Sequence, residues 1–187
     1  MNIRAAAAED AASIQKIYAP YVEKTAVTFE YEAPGVDEIR RRIVHTLREY
    51  PYLVAVEQGE IVGYAYAGPF YPRAAYRHSA EVSIYLDAKQ QKKGIGTRLY
   101  RELETRLLRQ NVYVVYACIA ASERGEDEHL TDASLCFHEK MGYTLAGKHR
   151  LCGYKFKKWY SVVWMEKSLS PRPEQPEAFI PFSELGR

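Results

Sequence analysis

The chain has 187 residues, of which 47% are hydrophobic and 27% are charged, and its formal net charge is +2. This length and composition fit one globular domain and exclude a disordered chain, a collagen-like fibre and a coiled-coil rod. The nearly balanced charge also argues against a nucleic-acid partner.

The first part of the chain predicts a strand, two helices and a hairpin. The predicted elements are a strand at 2–6, a helix from Asp10, a helix at 36–49, and strands at Tyr52–Glu57 and Ile61–Ala67. A break at Pro34 separates the two helices, and Pro51 ends the second one. Gly68 and Pro69 are expected to end the second strand of the hairpin.

The second part of the chain alternates strands with helices and then returns to strands. The predicted elements are an aromatic loop at 70–78, a strand at Glu81–Leu86, a helix at Gly94–Arg109, a strand at Val112–Ile119, a charged loop at 121–130, a helix to Met141, and strands at 143–150 and 157–167. The apolar run Val112–Ile119 is typical of a strand buried on both faces. Thr131 is the predicted N-cap of the last helix, and Gly142 its C-terminal stop. The order of elements predicts a mixed α/β sheet.

A change of composition after Leu169 divides the chain into a domain at 1–169 and a tail at 170–187. Prolines stand among charged residues in the tail, which predicts a loosely ordered segment. The tail also holds three apolar residues that could dock it onto the domain, Phe179, Ile180 and Phe182.

The cysteine content and the absence of targeting signals favour a reducing compartment. The three cysteines are an odd number and form no CxxC pair, which disfavours a disulfide framework and a metal site. No signal peptide is evident, and no apolar run approaches the ~20 residues of a membrane span. We therefore expect a cytoplasmic protein with no metal and no membrane partner.

The stretch most informative about chemistry lies between the predicted strand at 81–86 and the predicted helix at 94–109. It reads Gln91-Lys92-Lys93-Gly94-Ile95-Gly96-Thr97. A strand-to-helix turn presents free backbone N–H groups and the positive end of the helix dipole, which together bind anions. Gly94 and Gly96 allow a ligand to approach the backbone closely, and Lys92 and Lys93 add positive charge. These residues predict a phosphate or pyrophosphate site.

Two familiar nucleotide motifs do not fit this turn. A P-loop needs a lysine after its last glycine, but Thr97 follows Gly96. A dinucleotide fingerprint needs a third glycine, and Leu99 occupies that position. A glycine-rich helix start without a ligand remains the alternative explanation.

The pattern Q-x-x-G-x-G at 91–96 resembles the acetyl-coenzyme A motif of the GNAT superfamily of N-acetyltransferases. A second motif of that family has Asn, then Ala or Ser, then Tyr, and then Gly-Phe. The corresponding residues here are Thr131, Ser134, His138, Gly142 and Tyr143. Over about residues 2–167 the chain further resembles the phosphinothricin N-acetyltransferase group. The similar stretches are 50–55, 65–69, 91–100, 137–143 and 153–155 with Trp159.

The resemblance implies a GNAT fold, in which a mixed central sheet of about seven strands is flanked by four helices. It implies acetyl-coenzyme A as co-substrate and a homodimer. The donor contacts that it implies are Ile84, Tyr85, Leu86, Gln91, Lys92, Lys93, Gly94, Ile95, Gly96, Thr97, Thr131 and Ser134. A splayed strand end near Tyr85 would leave a backbone N–H free to polarise the thioester carbonyl.

The resemblance also implies two catalytic residues. Glu81 stands where the related enzymes keep a catalytic glutamate, and is expected to act as general base. The alternative is a structural carboxylate paired with Arg77 or His78. His138 takes the place of the usual tyrosine acid and can give a proton or hold a hydrogen bond. The alternative is a helix histidine that packs against the sheet.

The acceptor side is predicted from the loops that precede these residues. Arg73 and Arg77 suit bidentate capture of a carboxylate or phosphinate, and Tyr76 lies between them. Ordinary solvated arginines are the alternative. Phe29 resembles part of a substrate-side loop.

The sequence thus predicts an N-acetyltransferase that acts by direct transfer on a small amino-acid-like amine of the phosphinothricin or methionine sulfoximine type. A protein or peptide acceptor is a second hypothesis, favoured by the acidic loop at 121–130. A non-catalytic coenzyme A-binding regulator is a third.

Overall fold

The computed structural model describes residues 1–90, 93–123, 125 and 127–185. Within these ranges the chain forms a seven-stranded sheet and four α-helices. The strands are β1 (Asn2–Ala5), β2 (Tyr52–Glu57), β3 (Glu60–Pro69), β4 (Ser79–Leu86), β5 (Val114–Ala121), β6 (Thr144–Lys155) and β7 (Lys158–Ser168). The helices are α1 (Ala11–Lys24), α2 (Val36–Glu49), α3 (Ile95–Arg109) and α4 (Ala133–Lys140). The predicted mixed sheet is confirmed.

The strand order is β1-β2-β3-β4-β5-β7-β6, and the central β4–β5 pair runs parallel between antiparallel neighbours. This parallel ladder is short, because it joins Ser79 to Val114 at its start and Glu81 to Tyr116 at its end. Both strands continue for several residues beyond Glu81 and Tyr116 without pairing to each other. The sheet therefore opens into a cleft between β4 and β5.

Helices cover the two faces of the sheet unequally. On one face α3 packs with apolar residues at steps of four, and Leu99, Leu103 and Leu107 are fully buried there. On the other face α1 and α2 pack against β2, β3 and β4. The part of that face formed by β5 and β7 leaves Tyr116 and Trp164 half-buried. One half of this face is thus core, and the other half is open.

Three sequence predictions need correction. Gly68 and Pro69 do not break β3, because Pro69 still pairs with Ala80 at the end of the ladder, where a missing N–H is tolerated. The last helix begins at Ala133 with Asp132 as N-cap, so Thr131 lies one residue outside the cap. β5 is not buried on both faces, since Cys118 is exposed along the opened edge of the sheet.

The C-terminal segment lies against the ends of α2 and α3. The Ile180 N–H donates to the Gln110 carbonyl at 3.1 Å, and the Gln110 side-chain amide donates back to the Ile180 carbonyl at 2.8 Å. The Phe179 ring lies 5.4 Å from that of Tyr50 and 5.2 Å from the Arg77 guanidinium. The docked residues therefore connect the tail to the loop that precedes β4.

Candidate active site

Glu81 stands at the root of the cleft, on the last residue pair of the β4–β5 ladder. Its side chain is half-buried, and burial raises the pKa of its carboxyl group above the usual value. Within the described part of the chain the carboxylate forms no hydrogen bond or ion pair. Arg77 instead pairs with Glu49 at 3.0 Å, and His78 Nδ1 meets the Asn111 carbonyl at 2.7 Å. The structural pairing considered for Glu81 is therefore absent from the described contacts.

The cleft continues from Glu81 between the separated strands and reaches α3 and α4. It encloses a narrow cavity of about 50 Å³. Its lining residues are Val27, Val82, Ser83, Ile84, Tyr85, Tyr100, Ala117, Cys118, Ile119, Ala120, Leu130, Ser134 and His138. The predicted residues Ile84, Tyr85, Ser134 and His138 are thus brought together on its walls. Leu86 lies at the strand end, where its carbonyl accepts a hydrogen bond from the Tyr21 hydroxyl at 2.7 Å.

His138 is buried and holds hydrogen bonds at both ring nitrogens. Nδ1 lies 2.7 Å from the Ser134 carbonyl, which only a protonated nitrogen can satisfy. Nε2 lies 2.9 Å from the Tyr100 hydroxyl, which must then donate to it. Burial lowers the pKa of His138 and raises that of Tyr100 well above its usual value, so both groups are neutral near pH 7. The pair brings a neutral hydroxyl into the cleft.

The N-terminus of α3 lacks a side-chain cap. Gly94 precedes the helix with φ of +75°, a conformation that glycine adopts readily, and the first helical bond joins the Arg98 N–H to its carbonyl at 3.2 Å. The free N–H groups of this turn, from Ile95 to Thr97, suit an anion. Lys93 is exposed and its ammonium donates to the Gln90 side chain at 2.7 Å.

Gly96 has a packing role that the sequence did not reveal. A Cβ at this position would lie 3.1 Å from the Phe137 ring of α4, so glycine permits the close approach of the two helices. The structure describes only some of the remaining residues that the sequence predicts to contact the acetyl donor. Thr131 is exposed, and its hydroxyl accepts from the Ala133 N–H at 3.4 Å. Gln91 and Lys92 lie outside the described residues.

The residues predicted to bind the acceptor substrate differ in their exposure and in their contacts. Arg73 and Tyr76 are exposed on the loop between β3 and β4. Arg77, on the same loop, is also exposed, and its guanidinium contacts Glu49 and the Phe179 ring. Phe29 packs directly against Gly153, where an added Cβ would clash with its ring.

Lys155 is a buried residue that the sequence did not single out as functional. Its ammonium donates to three backbone carbonyls, that of Val22 near the end of α1 at 2.7 Å and those of Thr25 and Thr28 after the helix at 2.9 Å and 2.8 Å. Burial lowers the pKa of this lysine. The clamp fixes the segment whose Val27 lines the cleft. A lysine in a strand gives no sequence signal for such a role.

Cys118 lies at the open side of the cleft, two residues beyond the last β4–β5 pair. Although the residue is exposed, partial desolvation of the thiol by the cleft walls, together with the nearby Glu81 carboxylate, raises its pKa to about 12. The thiol is therefore protonated near pH 7 and a poor nucleophile.

Two other kinds of site were sought in the described ranges. Those ranges contain no cluster of three or more His, Cys, Asp or Glu side chains arranged to hold a metal ion. Among the same residues, no helix has the length and apolar character needed to span a bilayer.

Comparison with known proteins gives consistent matches over most of the chain. The family model described as acetyltransferase (GNAT) domain matches residues 3–164. A phosphinothricin N-acetyltransferase of Streptomyces viridochromogenes is 32% identical over 180 residues, which are 94% of each chain. An L-methionine sulfoximine/L-methionine sulfone acetyltransferase of Pseudomonas aeruginosa is 32% identical over 94% of this chain and 98% of its own length. A solved phosphinothricin acetyltransferase from Sinorhizobium meliloti, in complex with AcCoA, has a TM-score of 0.83 and 30% identity over 97% of both chains.

Proposed function

The chain belongs to the GNAT acetyltransferase family, and we propose that it transfers an acetyl group from acetyl-coenzyme A to the amino group of a small amino-acid-like acceptor. The GNAT fold and the acetyltransferase activity expected from the sequence are confirmed by these matches. The nature of the acceptor is our proposal. It is supported by relatives named for phosphinothricin and methionine sulfoximine.

The observation that carries the proposal is the half-buried, unpaired Glu81 at the root of the cleft. Beyond Glu81 the backbone groups of β4 that face β5 lack ladder partners, so they can bond the arm and the carbonyl of a thioester donor. The uncapped start of α3 offers its N–H groups to a diphosphate. The donor therefore fits with its reactive end close to a free carboxylate.

In this site Glu81 takes the proton that an acceptor ammonium must lose before its nitrogen can attack. The raised pKa of the carboxyl group strengthens it as a base. The nitrogen then forms a bond to the acetyl carbon and loses its second proton, the carbon–sulfur bond breaks, and the departing thiolate gains one proton. The Tyr100 hydroxyl, oriented by His138, can turn from the imidazole to donate to that sulfur. The raised pKa of Cys118 makes its thiol a poor nucleophile near pH 7, which favours direct transfer.

The peptide-acceptor hypothesis loses support from the acidic loop. Glu123 accepts a hydrogen bond from Ser161 and pairs with Lys148 at 2.9 Å. Asp127 accepts from Tyr160 at 3.1 Å and lies 3.4 Å from the Lys158 ammonium. These carboxylates are engaged within the domain, so they do not form a free surface for a cationic peptide.

A homodimer and a cytoplasmic location also remain our proposals. The β6–β7 hairpin leaves large apolar side chains exposed, among them Leu145 and Trp159. Such exposure favours contact with a second copy. The cysteines of the chain are free thiols, which fits a reducing compartment. Light scattering of the purified chain measures the oligomeric state directly.

The test of the proposed function is thiol release from acetyl-coenzyme A in the presence of amino acids, phosphinothricin, methionine sulfoximine, polyamines and peptides. We expect turnover with amino acids or their analogues and little with peptides. Glu81→Gln should abolish most of it, whereas Glu60→Gln, on the exposed β2–β3 turn, should not. Turnover with peptides alone would replace the acceptor class, and donor binding without turnover on any amine would contradict an enzymatic role.

A further inference from the structure

Five aromatic side chains form one cluster on the open half of the sheet, which we name the ring platform. Its members are Phe70, Tyr71, Tyr76, Tyr116 and Trp164. The Phe70 ring stacks on that of Tyr116, with centroids 4.0 Å apart and planes at 14°. Tyr71 and Trp164 meet the same ring edge-on at 4.5 Å and 5.7 Å. Phe70 is therefore the centre of a continuous aromatic surface.

Strand register places the ring platform beside the catalytic carboxylate. Tyr116 is the β5 partner of Glu81, and paired residues of neighbouring strands project from the same face of a sheet. On the other side of Glu81 the β3 partner is Gly68, which carries no side chain. The space above Glu81 is thus bounded by the platform on one side and left clear on the other.

The ring platform leaves part of its aromatic surface exposed to water, although other aromatic rings of the protein are buried in its core. Tyr71 is 50% exposed and Tyr76 is 37% exposed. Contiguous apolar surface that stays in contact with water marks binding sites more often than single exposed residues do. Its position next to Glu81 makes the acceptor the ligand that would cover it.

The charges around the platform suit one carboxylate and leave little for a second anion. Arg73 is exposed, and its guanidinium pairs with no carboxylate of the described residues. Arg77 is engaged by Glu49. At the Tyr116 hydroxyl, Glu166 and Arg172 bring opposite charges that offset each other. An acceptor with an anionic side chain would meet the Glu166 carboxylate as well as Arg172 there, whereas a flat apolar side chain finds rings.

We infer that the preferred acceptor is an α-amino acid with an aromatic side chain, whose carboxylate meets Arg73 and whose ring lies on the ring platform beside Glu81. This inference rests on the proposed function and refines it. Ring–ring contacts are attractive in offset or edge-on geometry, which the mixed orientations within the platform offer.

The test compares kcat/KM for L-phenylalanine, L-leucine and L-phosphinothricin, measured by thiol release in the purified wild-type protein. We expect L-phenylalanine to exceed L-phosphinothricin by roughly tenfold or more, as one aromatic contact of about 1.4 kcal/mol implies. Tyr71→Ala should lower kcat/KM for L-phenylalanine by roughly fivefold and leave that for L-leucine nearly unchanged. The exposed Leu108 of α3, which stands outside the platform and the β6–β7 hairpin, supplies the control Leu108→Ala.

Each contrary result has a distinct meaning. A preference for L-phosphinothricin, or an equal loss for all acceptors in Tyr71→Ala, overturns the inference while the proposed function stands. A shift of Tyr71→Ala to a smaller oligomer without altered selectivity would assign the rings to a subunit interface and also overturn it. Absence of turnover with every amine, in protein that binds acetyl-coenzyme A, overturns both.

Discussion

One face of the sheet carries two groups of aromatic rings that differ in what covers them. On the half formed by β2, β3 and β4, the rings of Tyr52 and Tyr64 stack 5.7 Å apart beneath α1 and α2, and both are buried. On the half formed by β5 and β7, the ring platform is open to water. The same residue type thus serves as core on one half and as an accessible surface on the other, and the difference is the presence of a helix.

The boundary between the halves coincides with Glu81, the proposed general base. Tyr85 at the end of β4 lies 5.3 Å from Tyr64 and belongs to the covered group, where burial raises the pKa of both hydroxyls. Glu81, four residues earlier on the same strand, faces the open half. Removing rings from the covered half should therefore affect folding, and changes on the open half should affect catalysis.

Replacing Glu81 by glutamine should produce the largest effect on the open half. The amide cannot accept the ammonium proton, so kcat/KM should fall by roughly 10²–10⁴ at neutral pH. The free energy of unfolding should change little, because the carboxylate has no described partner to lose. Steady-state kinetics and urea denaturation of Glu81→Gln and Glu60→Gln provide the comparison. Retained activity would remove Glu81 from the mechanism.

Removing one aromatic ring should lower the free energy of unfolding much more in the covered half than in the open half. Tyr64→Ala should lower the free energy of unfolding by about 3–5 kcal/mol, because it leaves a cavity in a fully buried layer. Tyr71→Ala should change it by no more than about 0.5 kcal/mol, because half of that side chain is already in water. Urea denaturation measures both. Equal losses in the two variants would mean that the platform is structural.

The sequence predicts features that depend on neighbouring residues better than features that depend on strand register. The uncapped start of α3 follows from Gly94 and the apolar period after it, and both are local. The ring platform could not be predicted, because Phe70 and Trp164 meet only through the order β3-β4-β5-β7. The contact of Arg77 with Phe179, about a hundred residues later, is likewise one that no local pattern reveals.

No helix covers the open half of the sheet, and the hydrogen bonds of Lys155 help to fix the chain segment beside it. Lys155→Met retains the length of the side chain and removes three hydrogen bonds to carbonyls at the end of α1 and in the segment after it. We expect a loss of stability of about 1–3 kcal/mol and faster amide exchange in residues 22–31. The KM for the acceptor should rise more than that for acetyl-coenzyme A, because Phe29 packs on the strand beside this clamp. Lys155→Arg should restore part of the effect.

The smallest predicted effect concerns His138 and is a change in how the free energy of unfolding depends on pH. The lowered pKa of His138 means that the unfolded chain binds a proton near pH 6.5 that the folded chain does not. Its contribution to stability is therefore complete above about pH 6.5 and is lost as the pH falls towards the folded pKa. His138→Gln should lose less stability than the wild type between pH 7.5 and pH 5.5, as measured by urea denaturation at each pH. The same slope in both proteins would mean that folding leaves the pKa of His138 unchanged, which would contradict the lowered pKa expected from its burial beside Tyr100.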